Sequence, residues 1–148
     1  GTASWVTAPA GSCATSTTLM PSIIEGPSDH ILFAHAATGQ NRIGMISKTG
    51  YVGAANCLAA ITAPTANHFP TALLYHSSGK LFAAFGNATG SIHQIYSYDV
   101  SATAITNAVQ VFNDPATVAG ITSMLEMPDG RIAVASALST MNTVEVLE

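Results

Sequence analysis

Charge is what this sequence has least of. Lys, Arg, Asp and Glu together make up 8% of its 148 residues, against roughly 25% in an average soluble domain. Only four are bases (Arg42, Lys48, Lys80 and Arg131), and the formal net charge is −4. A phosphate-binding face needs clustered Lys and Arg to release counterions, so nucleic acid is excluded as a partner. No apolar run approaches the ~20 residues of a spanning helix, which argues against membrane insertion. Two cysteines, Cys13 and Cys57, are too few for a disulfide framework, and neither sits in a Cys-x-x-Cys pair. Both are expected to be unbridged, buried thiols. The five histidines are scattered, with no i, i+4 spacing of a helical zinc site, and no metal or cofactor is expected.

What fills the sequence instead is Ala, Thr, Ser and Gly around an apolar fraction of 48%. A neutral, hydroxyl-rich surface suits a secreted, cell-surface or virion-borne protein better than a crowded cytosol. There is no initiator Met and no leader pattern, so a processed chain or a part of a longer one is expected. Asn87-Ala88-Thr89 fits the N-glycosylation triplet, which bears on function only in a eukaryotic secreted setting.

The chain repeats itself. "ITSMLEMPDGRIAVAS" (121–136) falls on "MPSIIEGPSDHILFAH" (20–35) after a shift of 101, and on "PTALLYHSSGKLFAAF" (70–85) after a further 50. Ile23, Leu73 and Met124 coincide, as do Ile24, Leu74 and Leu125, and Ala34, Ala84 and Ala135. Farther on, Met45, Ile95 and Val146 coincide, while His93 interrupts the match of Ile43 with Val144. Each copy holds period-2 or fully apolar strand runs parted by turn signals. In the first copy strands fall at 21–25, 31–36 and 42–47, with a fourth beginning near Tyr51. Pro27-Ser28-Asp29, Ser77-Ser78-Gly79 and Pro128-Asp129-Gly130 suit tight hairpins, and no stretch keeps a helical period. Four strands in a repeat of about 40–50 residues is the signature of a β-propeller blade. The expected fold is therefore all-β: a single propeller or half-propeller domain over 1–148, with four-stranded antiparallel blades at about 20–68, 69–119 and 120–148. The last blade would be completed by residues 1–18, where Trp5-Val6 is similar to Tyr51-Val52. Three blades cannot close a ring, so a homodimer of six blades, joined by strand exchange, is the expected partnership.

After the third strand the second copy reads "SYDVSAT". Ser97, Asp99, Ser101 and Thr103 resemble the Asp-box of sialidase-like propellers, Ser-x-Asp-x-Gly-x-Thr-Trp, with Ser101 for the Gly and Ala104 for the Trp. The first copy keeps only Ser47, with Thr49 at the Asp position. The resemblance implies the propeller scaffold and places Ser97 and Asp99 in an Asp-box-like turn. It does not carry over the chemistry: that family's enzymes use three arginines on the substrate carboxylate, and this chain has two arginines in all.

Ligands of propellers usually bind the face built by the second-to-third and fourth-to-first strand connections. Of the acids, only Asp114 is expected in a loop on that face; Asp29 and Asp129 fall in first-to-second turns, and Asp99 in a third-to-fourth turn. Glycoside hydrolysis generally needs two carboxylates about 5–10 Å apart, so a hydrolase is disfavoured and no catalytic residue is assigned. Glu25, Tyr75 and Glu126 occupy equivalent positions and are expected to ring a central channel near the opposite face. The ligand face offers His35, Asn41, Arg42, His68, Asn87, Asp114 and Asn142, with His35 ending a strand and His68 in the loop ahead of one. Amides and hydroxyls bond sugar hydroxyls while aromatic rings pack on their C–H faces. The expected function is thus non-enzymatic recognition of a glycan or cell-surface ligand, the competitors being a glycan-cleaving hydrolase and a purely structural self-assembling propeller.

Overall fold

A sequence that alternates apolar residues on both faces of its strands cannot leave a sheet bare on either side, and the fold answers by stacking sheets. The computed structural model describes residues 22–35, 42–48, 57–62, 68–87, 93–114, 120–137 and 142–147. Among them there are eleven strands and no helix. Sheet 1 comprises β1 (Ile23–Glu25), β2 (His30–His35), β3 (Arg42–Ser47) and β4 (Cys57–Thr62). Sheet 2 comprises β5 (His68–Tyr75), β6 (Lys80–Asn87), β7 (His93–Val100) and β8 (Ile105–Asp114). Sheet 3 comprises β9 (Ile121–Glu126), β10 (Ile132–Ala137) and β11 (Asn142–Leu147). Each is an antiparallel meander in which sequence neighbours are hydrogen-bonded neighbours.

The turns explain the hairpins. In β5–β6 and β9–β10 the Gly79 and Gly130 amides donate to His76 and Met127 carbonyls at 2.9 Å. Both glycines are left-handed, with φ of 81° and 83°, which only Gly adopts without a steric cost. The β1–β2 turn is bracketed by Gly26 N–H to His30 O at 2.9 Å, the counterpart of His76 N–H to Lys80 O and Met127 N–H to Arg131 O, but its left-handed residue is Ser28 at φ 55°. His30 Nδ1 lies 2.8 Å from Pro27 O, bracing that turn.

Sheet 2 is the middle layer, and its side chains part by strand alternation. Leu73, Leu81, Ala83 and Phe85 pack on Leu32, Ala34, Ile43 and Met45 of sheet 1. Ala72, Ala84 and Ile95, with half-buried Leu74 and Phe82, pack on Ile121, Met124, Ile132 and Val134 of sheet 3. The first strands of the three sheets, β1, β5 and β9, lie in contact in that order, and the last strands β4 and β8 touch. Pro70, which lacks an N–H, is tolerated on β5 because that strand forms an edge of its sheet; a bulge follows it before Ala72.

Sequence expectations change in the ladder register, at His68 and at Asp99. The ladder pairs Ala34 with Ile43 and Ala135 with Val144, yet Ala84 with Ile95. Strand β6 is two residues longer than β2, which carries β7 two positions onward, keeps its faces and puts Ile95, not His93, in the apolar series. The fourth strand is described from Cys57, and Tyr51 lies outside the described residues. His68 does not precede a strand but opens β5, paired with Asn87. Asp99 is not in a turn but in β7, paired with Lys80 and Thr106.

Gly44 is a close-approach site. A Cβ there would lie 2.3 Å from Phe33 Cζ, because the ring of Phe33 crosses the backbone of its ladder partner. Gly44→Ala is expected to cost about 1–3 kcal/mol by overpacking. Phe33→Leu should recover part of that loss in a double-mutant cycle read by urea denaturation.

Candidate functional site

An antiparallel meander sends alternate connections to opposite ends, and the polar residues sort accordingly. In sheet 2, His68 pairs with Asn87 and His93 with Gly86 and Asp114, so the starts of β5 and β7 and the ends of β6 and β8 form one row. In sheet 1, His35 pairs with Arg42 and Arg42 with Thr62. In sheet 3, Asn142 pairs with Ala137. Six of the seven ligand-face candidates therefore stand at the same end of their own sheets; Asn41 lies outside the described residues. The sheets are in step: Leu73 N–H donates to Ser22 Oγ at 3.2 Å, and His76 Nε2 donates to Gly130 O at 2.9 Å.

Within this layer the histidines are buried rather than poised together. His68 is turned toward sheet 1 and His93 toward sheet 3, by the alternation of their ladder partners Asn87 and Gly86. His93 rests on Gly86, where a Cβ would meet its Nδ1 at 3.4 Å. His68 Nδ1 is buried without a hydrogen-bond partner among the described residues. His35 and Arg42 share the face of sheet 1 turned away from sheet 2. Among the described residues no three His, Cys, Asp or Glu side chains gather closely enough to hold a metal ion.

The opposite end carries the tight β1–β2, β5–β6, β7–β8 and β9–β10 turns and paired charges, together with the longer connection 48–56 between β3 and β4. Lys80 Nζ lies 2.5 Å from Asp99 Oδ1, while Asn107 Nδ2 donates to Asp99 Oδ2 at 2.6 Å. Asp99 thus ties β6, β7 and β8, and these bonds, that from Lys80 first, hold its carboxyl below the usual range. Arg131 Nη2 lies 2.6 Å from Asp129 Oδ2 and lowers that carboxyl in turn. The turn after β7 is closed by Ser101, whose Oγ accepts from Ala104 N–H at 3.1 Å. Ser97 is buried inside β7. Burial, with Tyr96 beside it, pushes the Tyr98 hydroxyl upward.

Glu25, Tyr75 and Glu126 end β1, β5 and β9 as equivalent positions but engage different partners. Glu25 pairs with Lys48 of its own sheet. Tyr75 packs against the core between sheets 1 and 2. Glu126 crosses to sheet 2, accepting from Ser77 N–H at 2.9 Å and from the Ser77 hydroxyl. These bonds hold its carboxyl low, and His76 Nε2 lies 3.4 Å from it. His76 escaped the sequence reading, although it breaks the repeat where the other copies have Gly26 and Met127. Ser78 N–H donates to His76 Nδ1 at 3.0 Å, and the ring stands edge-on to Phe82, 5.6 Å between centroids.

No protein-family model matches the chain, and no curated protein is significantly similar to it.

The lowered carboxylates fix a pH dependence. A folded-state pKa below the unfolded one means that the unfolded chain binds more protons between the two values. The stabilisation from Asp99, Glu126 and Asp129 is complete above the ordinary carboxylate range and is lost as pH falls through the lowered values. Urea midpoints should fall between about pH 5 and pH 3, and the double variant Asp99→Asn, Glu126→Gln should flatten that fall. An unchanged slope in the variant would remove these groups as its cause.

Proposed function

We propose that the chain is a non-enzymatic recognition module of β-propeller-type blades that takes a hydroxyl-rich ligand, a glycan or glycosylated surface, at the His–Asn–Asp end of its sheets. The observation that carries this is the division between the two ends. His35, Arg42, His68, Asn87, Asp114 and Asn142 occupy strand termini at one end of their sheets. Glu25, Asp99, Glu126 and Asp129 are engaged in ion pairs or hydrogen bonds at the other. Rigid sheets carrying polar loop ends are the usual platform for binding. The blade reading is supported by the three meanders, by their first strands lying in contact, and by the resemblance of 97–103 to an Asp-box. A secreted, cell-surface or virion setting accords with the low charge.

Hydrolysis is disfavoured by acid–base chemistry. A general acid at neutral pH needs a carboxyl whose pKa is raised, whereas Asp99, Glu126 and Asp129 are all lowered. Asp114 brings one carboxylate to the ligand end, while a glycosidase generally uses two.

A glycan array and a fluorogenic glycosidase panel test the proposal together. Binding without turnover is expected, with Arg42→Ala and Asn87→Ala each weakening it about tenfold or more, as for the loss of a charged or neutral hydrogen bond. Turnover that Asp114→Asn abolishes would replace the recognition module with a hydrolase.

A further inference from the structure

The same ladder positions meet opposite fates in the three sheets. In sheet 1, Leu32, Ala34, Ile43 and Met45 share a face with Ile24 and are sealed by sheet 2. The corresponding face of sheet 2 carries Leu74, Phe82, Ala84, Ile95 and Ser97, and sheet 3 seals Ala84 and Ile95. In sheet 3 these positions are Leu125, Ala133, Ala135, Val144 and Val146. Here Leu125 is 65% exposed, Val144 74% and Val146 39%. A sheet with one face in water alternates polar residues onto it; this one keeps the apolar set used where the face is covered.

What covers the other two such faces identifies the occupant. In both cases it is the opposite face of the following sheet, whose first strand sends one residue back: Leu73 toward sheet 1 and Met124 toward sheet 2. The corresponding residue of sheet 1 is Ile23, and it is 66% exposed. On the same face Ile31 and Ile46 are half-buried, while Phe33 and His35 are already buried. One chain thus presents the bare face of sheet 3 and, at Ile23, Ile31 and Ile46, the part of its complement on sheet 1 that is still open to solvent.

We infer that a second copy of this chain supplies the cover, with sheet 3 of each copy packing on sheet 1 of the other about a two-fold axis. The resulting ring has six sheets, inside the roughly four to eight of closed propellers.

Two further features agree. The last strands of consecutive sheets touch, β4 against β8. Sheet 3 has three strands among the described residues, and Val109 of β8, turned to the side of sheet 3 through its partner Ser97, is 56% exposed.

This closure rests on the blade reading of the fold and not on ligand recognition, so glycan binding can fail without touching it. Size exclusion with light scattering on the 148-residue chain is expected to give twice the mass of the chain. The pair Leu125→Asp, Val144→Asp changes residues exposed in the single chain, so circular dichroism should be unchanged while dimerisation weakens by at least about 30-fold, as for hot-spot residues. A well-folded monomer of the unaltered chain, an assembly of more than two copies, or a dimer indifferent to the aspartates would each overturn the closure.

Discussion

Everything in this structure depends on one packing constraint: a sheet whose strands are apolar on both faces is stable only between two others. Sheet 2 meets it, with Leu73, Leu81 and Phe85 on one side and Ala84 and Ile95 on the other sealed from water. Burying one such side chain is worth about 1.5–3 kcal/mol, so the two interfaces outweigh any single ion pair on the surface, where the typical value is about 0–1 kcal/mol. The scarcity of charge follows from the same constraint. Stacked sheets offer solvent mainly their ends and outer edges, and there the charges are found. Lys48, Lys80, Arg131, Glu25, Asp99, Glu126 and Asp129 gather toward the short-turn end; Arg42 and Asp114 mark the other.

Stacking explains why the faces hold, but not why the sheets stay in step along their strands, since apolar contact is non-directional. Directional bonds at the short-turn end do that. His76 spans the junction of sheets 2 and 3, accepting from Ser78 N–H through Nδ1 and donating to Gly130 O through Nε2. Glu126 answers from sheet 3 by gripping Ser77. The two contacts run in opposite directions across the same gap, so sliding one sheet past the other breaks both.

Much of this was legible because strand periodicity and turn chemistry are local. The alternation in 31–36 and 42–47 and the Pro-Asp-Gly and Ser-Ser-Gly signals gave strands β2 and β3 and the hairpins nearly to the residue. Strand ends were less legible, because a polar residue pairs in a ladder as readily as an apolar one: His68 and Asp99 lie inside strands that composition ended sooner. Which end of its sheet a residue occupies could be read from the meander alone, and that gathered His35, Arg42, Asn87 and Asn142. Which face it occupies could not. A slip of one residue reverses every side chain, and the bulge after Pro70 is such an adjustment, turning His68 to the face opposite that of His93. His76 was missed for a different reason, its partner Gly130 being 54 positions away.

The exposed residues of sheet 3 therefore carry more information than their number suggests. Singly exposed Val or Leu residues are ordinary on any protein surface, and Val144 alone would mean nothing. The three are not scattered: Leu125 and Val146 flank Ala133 in one cross-strand row, and Val144 follows through Ala135 in the next. Cross-strand pairs stabilise a sheet only modestly, by roughly 0.2–1 kcal/mol, too little to hold an apolar set against water at every second position. The same positions in sheets 1 and 2 are met by another sheet. Under the proposed closure the exposed patch of sheet 3 becomes a half-interface, and Ile23 belongs to its complement because Leu73 and Met124, one repeat along in each case, fill the same role inside the chain.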